Sequence, residues 1–140
     1  MALKRPPYRR LNSQKDEIRL LQLFPGDDKS PLQGELIHVA LVERMTVPYD
    51  TISYRWGDGL VGAAIEIDGA NISAPDSALQ ILRRVRHAQK RQILWIDSVC
   101  IDQNDVEERS WQVALMKKIY SAARTNLIWL GEDEDPSRML

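Results

Sequence analysis

The chain has 140 residues, enough for one domain with its own core, and 44% hydrophobic with 28% charged residues is an ordinary globular balance. Nineteen Lys and Arg against twenty Asp and Glu leave a formal net charge of −1, so no field points to nucleic acid or an anionic membrane. The single cysteine, Cys100, excludes an internal disulfide and suits a reducing compartment; no apolar run has the length to cross a bilayer, and residues 1–10 lack the apolar stretch of a secretory signal.

In chain order, residues 18–23 read as a short strand stopped by Pro25-Gly26, residues 36–41 as a second, and residues 49–54 as a third that closes on Arg55-Trp56-Gly57. Residues 65–72 alternate apolar and polar around Asp68-Gly69, a hairpin signal. A helix is predicted over 76–90, with Ser77 and Gln80 at capping-box spacing and an apolar stripe of Ala78, Ile81, Leu82, Val85 and Ala88. The basic residues between Arg83 and Lys90 read as its solvated face. Residues 92–97 are a continuous apolar run, as in strands buried on both faces of a parallel sheet. A second helix spans about 106–123, and residues 126–130 give another strand. Strand, helix, strand, helix, strand is the order of parallel βαβ units, so the fold class is α/β with extra strands at the front and a hairpin insertion.

Ligands of open α/β sheets bind beyond the carboxyl ends of the strands. Three polar clusters lie there: Ser53 to Gly57, Asp97 to Asp105, and Gly131 to Asp133. On the second helix, Glu108 and Gln112 project into the apolar stripe of Trp111, Leu115 and Ile119. A carboxylate on a buried face needs a partner or a job. Glu108 therefore has two readings: a structural group, capping the helix with Asp105 or pairing, or a functional one. Cys100 with His38 or His87 is a weak nucleophile–base pairing, since His38 sits in a strand and His87 on a solvent-facing side. Asp97, Asp102 and Asp105 lack the glycine and terminal glutamate of a calcium loop, so no metal site is assigned. Gly57-Asp58-Gly59 with Gly62 reads as a turn and not as a phosphate loop.

Residues 52–57, Ile-Ser-Tyr-Arg-Trp-Gly, resemble the "LSYxWG" segment of the heterokaryon incompatibility (HET) domains of filamentous fungi. Residues 94–103 resemble their "LWIDxxCINQ", with Asp102 in place of asparagine. Glu108, Arg109, Gln112, Val113, Met116, Ile119 and Tyr120 are similar to "ERxxQVxxMxxIY", and residues 128–131 to the closing "xWLG". The resemblance runs from about Tyr8 to Gly131 and implies a cytoplasmic fungal protein that triggers death of fused, incompatible cells. It also implies a single HET domain over 1–140, at the front of a longer protein and with its last helices missing.

The family is distantly similar to TIR domains, which implies a TIR-like or flavodoxin-like sheet and cleavage of NAD as a candidate activity. No cofactor is implied with certainty; NAD enters as a substrate. The TIR glutamate would fall near Glu132 or Glu134, outside a TIR-like motif, so Glu108 is taken as the catalytic carboxylate. The ligand pocket implied by the matched motifs is Ser53, Tyr54, Arg55, Trp56, Gly57, Asp97, Cys100, Asp102, Gln103, Arg109 and Gln112. The competing reading is a non-enzymatic module that signals by homotypic assembly or through other incompatibility proteins. Neither reading calls for nucleic acid or membrane.

Overall fold

The computed structural model describes residues 7–54 and 64–129. Arg55, Trp56 and Gly57, and everything from Leu130 onward including Glu132 and Glu134, lie outside the described residues. The elements are strands β1 (Glu17–Leu23), β2 (Gln33–Ala40), β3 (Asp50–Tyr54), β4 (Ala64–Ile67) and β5 (Ala70–Ser73), helix α1 (Asp76–Val85), strand β6 (Gln92–Ile96), helices α2 (Asp97–Cys100) and α3 (Val106–Ala122), and strand β7 (Thr125–Trp129).

Among the described residues the strands form one sheet in the order β5-β4-β2-β1-β6-β3-β7. It is mixed, where the βαβ pattern predicts a parallel sheet. β6, β3 and β7 run parallel, with Ile52 opposite both Ile96 and Leu127. β1 is antiparallel to both its neighbours, β2 and β6. The early strands are thus not an added edge. β1 is a central strand, and Ile18 and Leu20 on one face are as fully buried as Leu21 and Leu23 on the other.

The two crossovers from the parallel trio leave in opposite directions, which for right-handed connections puts their helices on opposite faces. Contacts agree. α3 covers the Thr51 and Trp95 face: Trp95 meets Tyr120 edge-on at 5.8 Å and the Tyr49 hydroxyl donates to the Ile119 carbonyl at 2.6 Å. α1 covers the other face, where the Arg84 guanidinium lies 5.8 Å from the ring centre of Trp129.

The hairpin forms at the predicted place. Asp68 and Gly69 take φ of 51° and 82°, the two positive values of a type I′ turn. It extends the sheet through a parallel pairing of β4 with β2.

α1 departs from its prediction at both ends. Its N-cap is Pro75, with no side-chain cap, so Ser77 lies inside the first turn and the expected capping box does not form. It ends at Val85 because Arg86 is drawn away. The Arg86 guanidinium donates to the carbonyls of Asp27, Ser30 (3.0 Å) and Pro31 (2.9 Å). Gln92 then binds the freed end, donating to the Val85 carbonyl at 2.7 Å and accepting from the His87 N–H at 2.6 Å. Arg86 is buried and Ala88 exposed, the reverse of the helical projection. α3 follows its prediction, with Asp105 as N-cap accepting from the Glu108 N–H at 3.0 Å.

Candidate functional site

Because β6 and β3 are parallel neighbours, the segments that follow them emerge at one edge of the sheet. Two carboxylates stand there in different surroundings.

Glu108 is enclosed. It projects from the first turn of α3 and is 3% exposed. Its partner is Arg19 of β1, fully buried, which the β1–β6 register places at the level of Ile96. The two Arg19 amino groups each donate to one Glu108 oxygen at 2.7 Å, a fork-to-fork pair. The same amino groups reach the carbonyls of Cys100 (3.2 Å) and Arg9 (2.6 Å), and Glu108 also accepts the Asp102 N–H at 2.7 Å. The pair therefore joins the amino-terminal segment, β1, the loop after β6 and the start of α3. Tyr8 closes it from outside: its ring lies 5.0 Å from the Arg19 guanidinium and its hydroxyl donates to the Val99 carbonyl at 2.7 Å. Burial pushes the Tyr8 hydroxyl well above its ordinary pKa. Gln112, one turn along α3 and buried, donates to the Glu17 carbonyl at 2.9 Å.

Asp97 is half-buried at the end of β6. Burial holds its carboxyl above the usual carboxylate range, and hydrogen bonds from the Ser98 N–H and its own N–H work against that. Among the described residues it has no ion pair, whereas Glu35, Asp50 and Glu108 each have a cationic partner. At the end of the neighbouring strand β3 is Tyr54. Burial raises the Tyr54 hydroxyl strongly; the nearby Ser98 hydroxyl works against that and the Asp97 charge adds to it. Gln103 donates to the Asp97 carbonyl at 2.9 Å, tying the loop back onto the strand end.

The residues predicted from the sequence thus divide. Tyr54, Asp97 and Gln103 gather at the strand ends, with Ser53 half-buried next to Tyr54. Glu108 and Gln112 belong to the enclosed group, and so does Asp102, whose carboxylate accepts the Asn104 N–H at 3.2 Å. Arg109 is exposed on α3. Cys100 is not in a polar loop: it ends the short helix α2, fully buried, with Sγ 3.9 Å from the Leu94 carbonyl. Burial raises its thiol to about 12, so it is protonated at neutral pH. His38 contacts Glu17 at 3.2 Å, and the His87 ring accepts from the Gln89 and Lys90 N–H groups. Among the described residues no cluster of His, Cys, Asp and Glu has the arrangement of a metal site. A separate cavity of about 340 Å³, lined by Leu41, Val42, Glu43, Lys118, Ser121 and Ala122, shares no residue with either group.

Sequence reasoning missed Arg19, Tyr8 and Ser98. Arg19 had a signal: it is the one charge inside the apolar run of residues 18–23, as Glu108 is the one inside the α3 stripe. Two opposite charges, each on a buried face, are candidates to meet.

Comparison with known proteins gives this arrangement a family. The family model for heterokaryon incompatibility proteins (HET) matches residues 49–140. The chain belongs to the HET family. It is 34% identical over 144 residues to Heterokaryon incompatibility protein 6, OR allele, of Neurospora crassa, a match that covers 91% of this chain. The chain spans about a fifth of that relative's length. No solved structure matches it. The family match begins at Tyr49, yet β1 and β2 of this HET chain occupy the middle of its sheet. No helix among the described residues is long and apolar enough to cross a membrane.

Proposed function

We propose that this HET chain is the effector part of a cytoplasmic fungal incompatibility protein, triggering programmed cell death on non-self recognition through a nucleotide-class ligand held beyond the carboxyl ends of β3 and β6. NAD is the candidate substrate. The observation that carries the reading is the strand order β6-β3-β7: the second parallel strand lies on one side of the first and the third on the other. That order creates a topological switch point, the place where open α/β sheets hold nucleotides, and it supports the flavodoxin-like and TIR-like comparison. Tyr54 and Asp97 stand at this edge.

The reaction would be hydrolysis of the bond between nicotinamide and ribose. Water adds at the anomeric carbon as the bonding pair leaves with the ring nitrogen, giving neutral nicotinamide, ADP-ribose and a proton. Positive charge spreads over the sugar in the transition state, and a carboxylate helps only if its charge is not already matched. Glu108 has Arg19 on both oxygens, which supports the structural one of its two readings; among the described residues Asp97 has no cation. The test is nicotinamide release by the purified chain over a concentration series. Release that rises with concentration supports an effector activated by assembly. A folded chain that binds no NAD and releases none at any concentration refutes the enzymatic reading.

The competing reading, a homotypic assembly module, has its own support. Val106 and Val113, two turns apart on α3, are 64% and 52% exposed, and Ile128 on β7 is 65% exposed. Oligomers formed without nicotinamide release would favour it.

A further inference from the structure

Residues 7–11 belong to no strand or helix, and among the described residues they make no backbone–backbone hydrogen bond. Side chains and one carbonyl hold them instead. The Tyr8 hydroxyl donates to the Val99 carbonyl, the Tyr8 ring lies over the Arg19 guanidinium, the Arg9 carbonyl accepts from Arg19, and Leu11 is buried. The turn that follows closes on itself: the Glu17 N–H donates to the Asn12 carbonyl at 3.1 Å, and the Asn12 N–H to the Glu17 carboxylate at 3.1 Å. Those bonds do not depend on residues 7–11. The seam is also incompletely filled, with a cavity of about 70 Å³ between Leu11 and the first turns of α3 at Glu108 and Trp111. A segment with few anchors, no ladder and a self-contained turn at its root opens at far lower cost than the sheet.

What it covers is the loop at the strand ends. Val99 and Cys100 close α2, and the last carbonyls of a helix have no partner within it. Tyr8 takes the first at 2.7 Å and Arg19 the second at 3.2 Å. Arg19 also grips Glu108, and Glu108 holds the Asp102 N–H. Val99, Cys100, Arg19 and Glu108 are all buried, so a broken link strands a polar group away from water until the loop shifts to rehydrate it.

We propose that residues 8–11 form a detachable strap that sets the order of the strand-end loop, residues 97–105. Seated, the strap caps α2 and fixes the loop; lifted, it admits water to the Arg19–Glu108 pair and frees the loop. Whatever takes hold of this amino-terminal segment therefore acts on the edge where the candidate site lies. By the same coupling, a ligand that orders the loop seats the strap. The device does not rest on the nucleotide reading and survives its failure.

The experiment compares the chain with Tyr8→Ala and Tyr8→Phe by residue-resolved hydrogen exchange, and uses the rate of trypsin cleavage after Arg10 to read the lifted strap. In Tyr8→Ala, cleavage is expected to be at least about tenfold faster, and exchange of the Ile101, Asp102 and Asp105 amides to rise by a similar factor. The amides of Ile52 and Leu94, inside the sheet, keep their protection. Tyr8→Phe, which keeps the ring over Arg19 and gives up the Val99 carbonyl, gives a smaller rise at the same three amides. Unchanged exchange at those amides in Tyr8→Ala, with or without faster cleavage, overturns the coupling. Exchange that rises equally at Ile52 and Leu94 overturns the strap, because Tyr8 then only stabilises the whole fold. A Tyr8→Ala chain that does not fold overturns it as well.

Discussion

Glu108 and Asp97 lie within a dozen residues of each other, at the same edge of the same sheet, and have been given opposite treatment. Glu108 is sealed behind Tyr8 and matched atom for atom by Arg19. Asp97 is half-open and, among the described residues, has no counter-charge. A buried ion pair is balanced within the fold and has little charge left to offer a ligand; an unmatched carboxylate is tolerated by the fold and keeps its charge for use. On the function proposed above the first serves architecture and the second recognition, and substitutions can test whether the two roles separate.

The largest effect is expected at the enclosed pair. Glu108→Ala leaves Arg19 charged and buried, and should destabilise the chain by about 3–5 kcal/mol in urea unfolding. Replacing both partners together, Arg19→Met with Glu108→Leu, should recover most of that loss, because no lone charge remains. The double variant also sharpens the contrast: folded, it should keep whatever nucleotide binding the chain has. Abolished binding in a folded double variant would return Glu108 to the site. A smaller effect is expected at the cover. Tyr8→Phe removes the hydrogen bond to the Val99 carbonyl and keeps the ring over Arg19, a loss of about 1 kcal/mol in the same measurement.

The smallest effect has the opposite sign. The folded carboxyl of Asp97 titrates above its unfolded value, so ionisation opposes folding. That opposition is absent below the unfolded pKa, where both states are protonated, and complete above the folded one. Asp97→Asn should therefore melt slightly higher than the parent at neutral pH, with the gap closing as pH falls through the carboxylate range. A variant that melts lower at neutral pH would show Asp97 to be a structural group like Glu108.

Much of this was legible in the sequence, for local reasons. Asp68-Gly69 announces its turn because few residue pairs accept two positive φ values, and Asp105 announces the start of α3 because its side chain fits the N-cap. Glu108 and Gln112 project onto the buried face, and both are buried. What stayed hidden depends on partners far along the chain. Residues 18–23 show where a strand is but not that it enters the middle of the sheet antiparallel to β6, since a two-face-buried strand looks the same in either direction. Arg86 follows the basic pattern of its helix and leaves it only because three carbonyls of a distant loop converge on it. Asp97 was legible as a strand-end acid; its lack of a counter-ion was not.

The central place of β1 has a consequence for how the chain reaches its native state. β1 can pair at once with β2 as the chain is made, but its other edge stays bare until β6 has been made, and Arg19 waits for a glutamate 89 residues downstream. Contacts of such long range slow folding, and an unsatisfied strand edge in the interval is a surface on which chains stick to one another. Translation pauses after β2, or truncations before residue 92, should thus raise the aggregated fraction of nascent chains, while pauses after α3 should leave it unchanged.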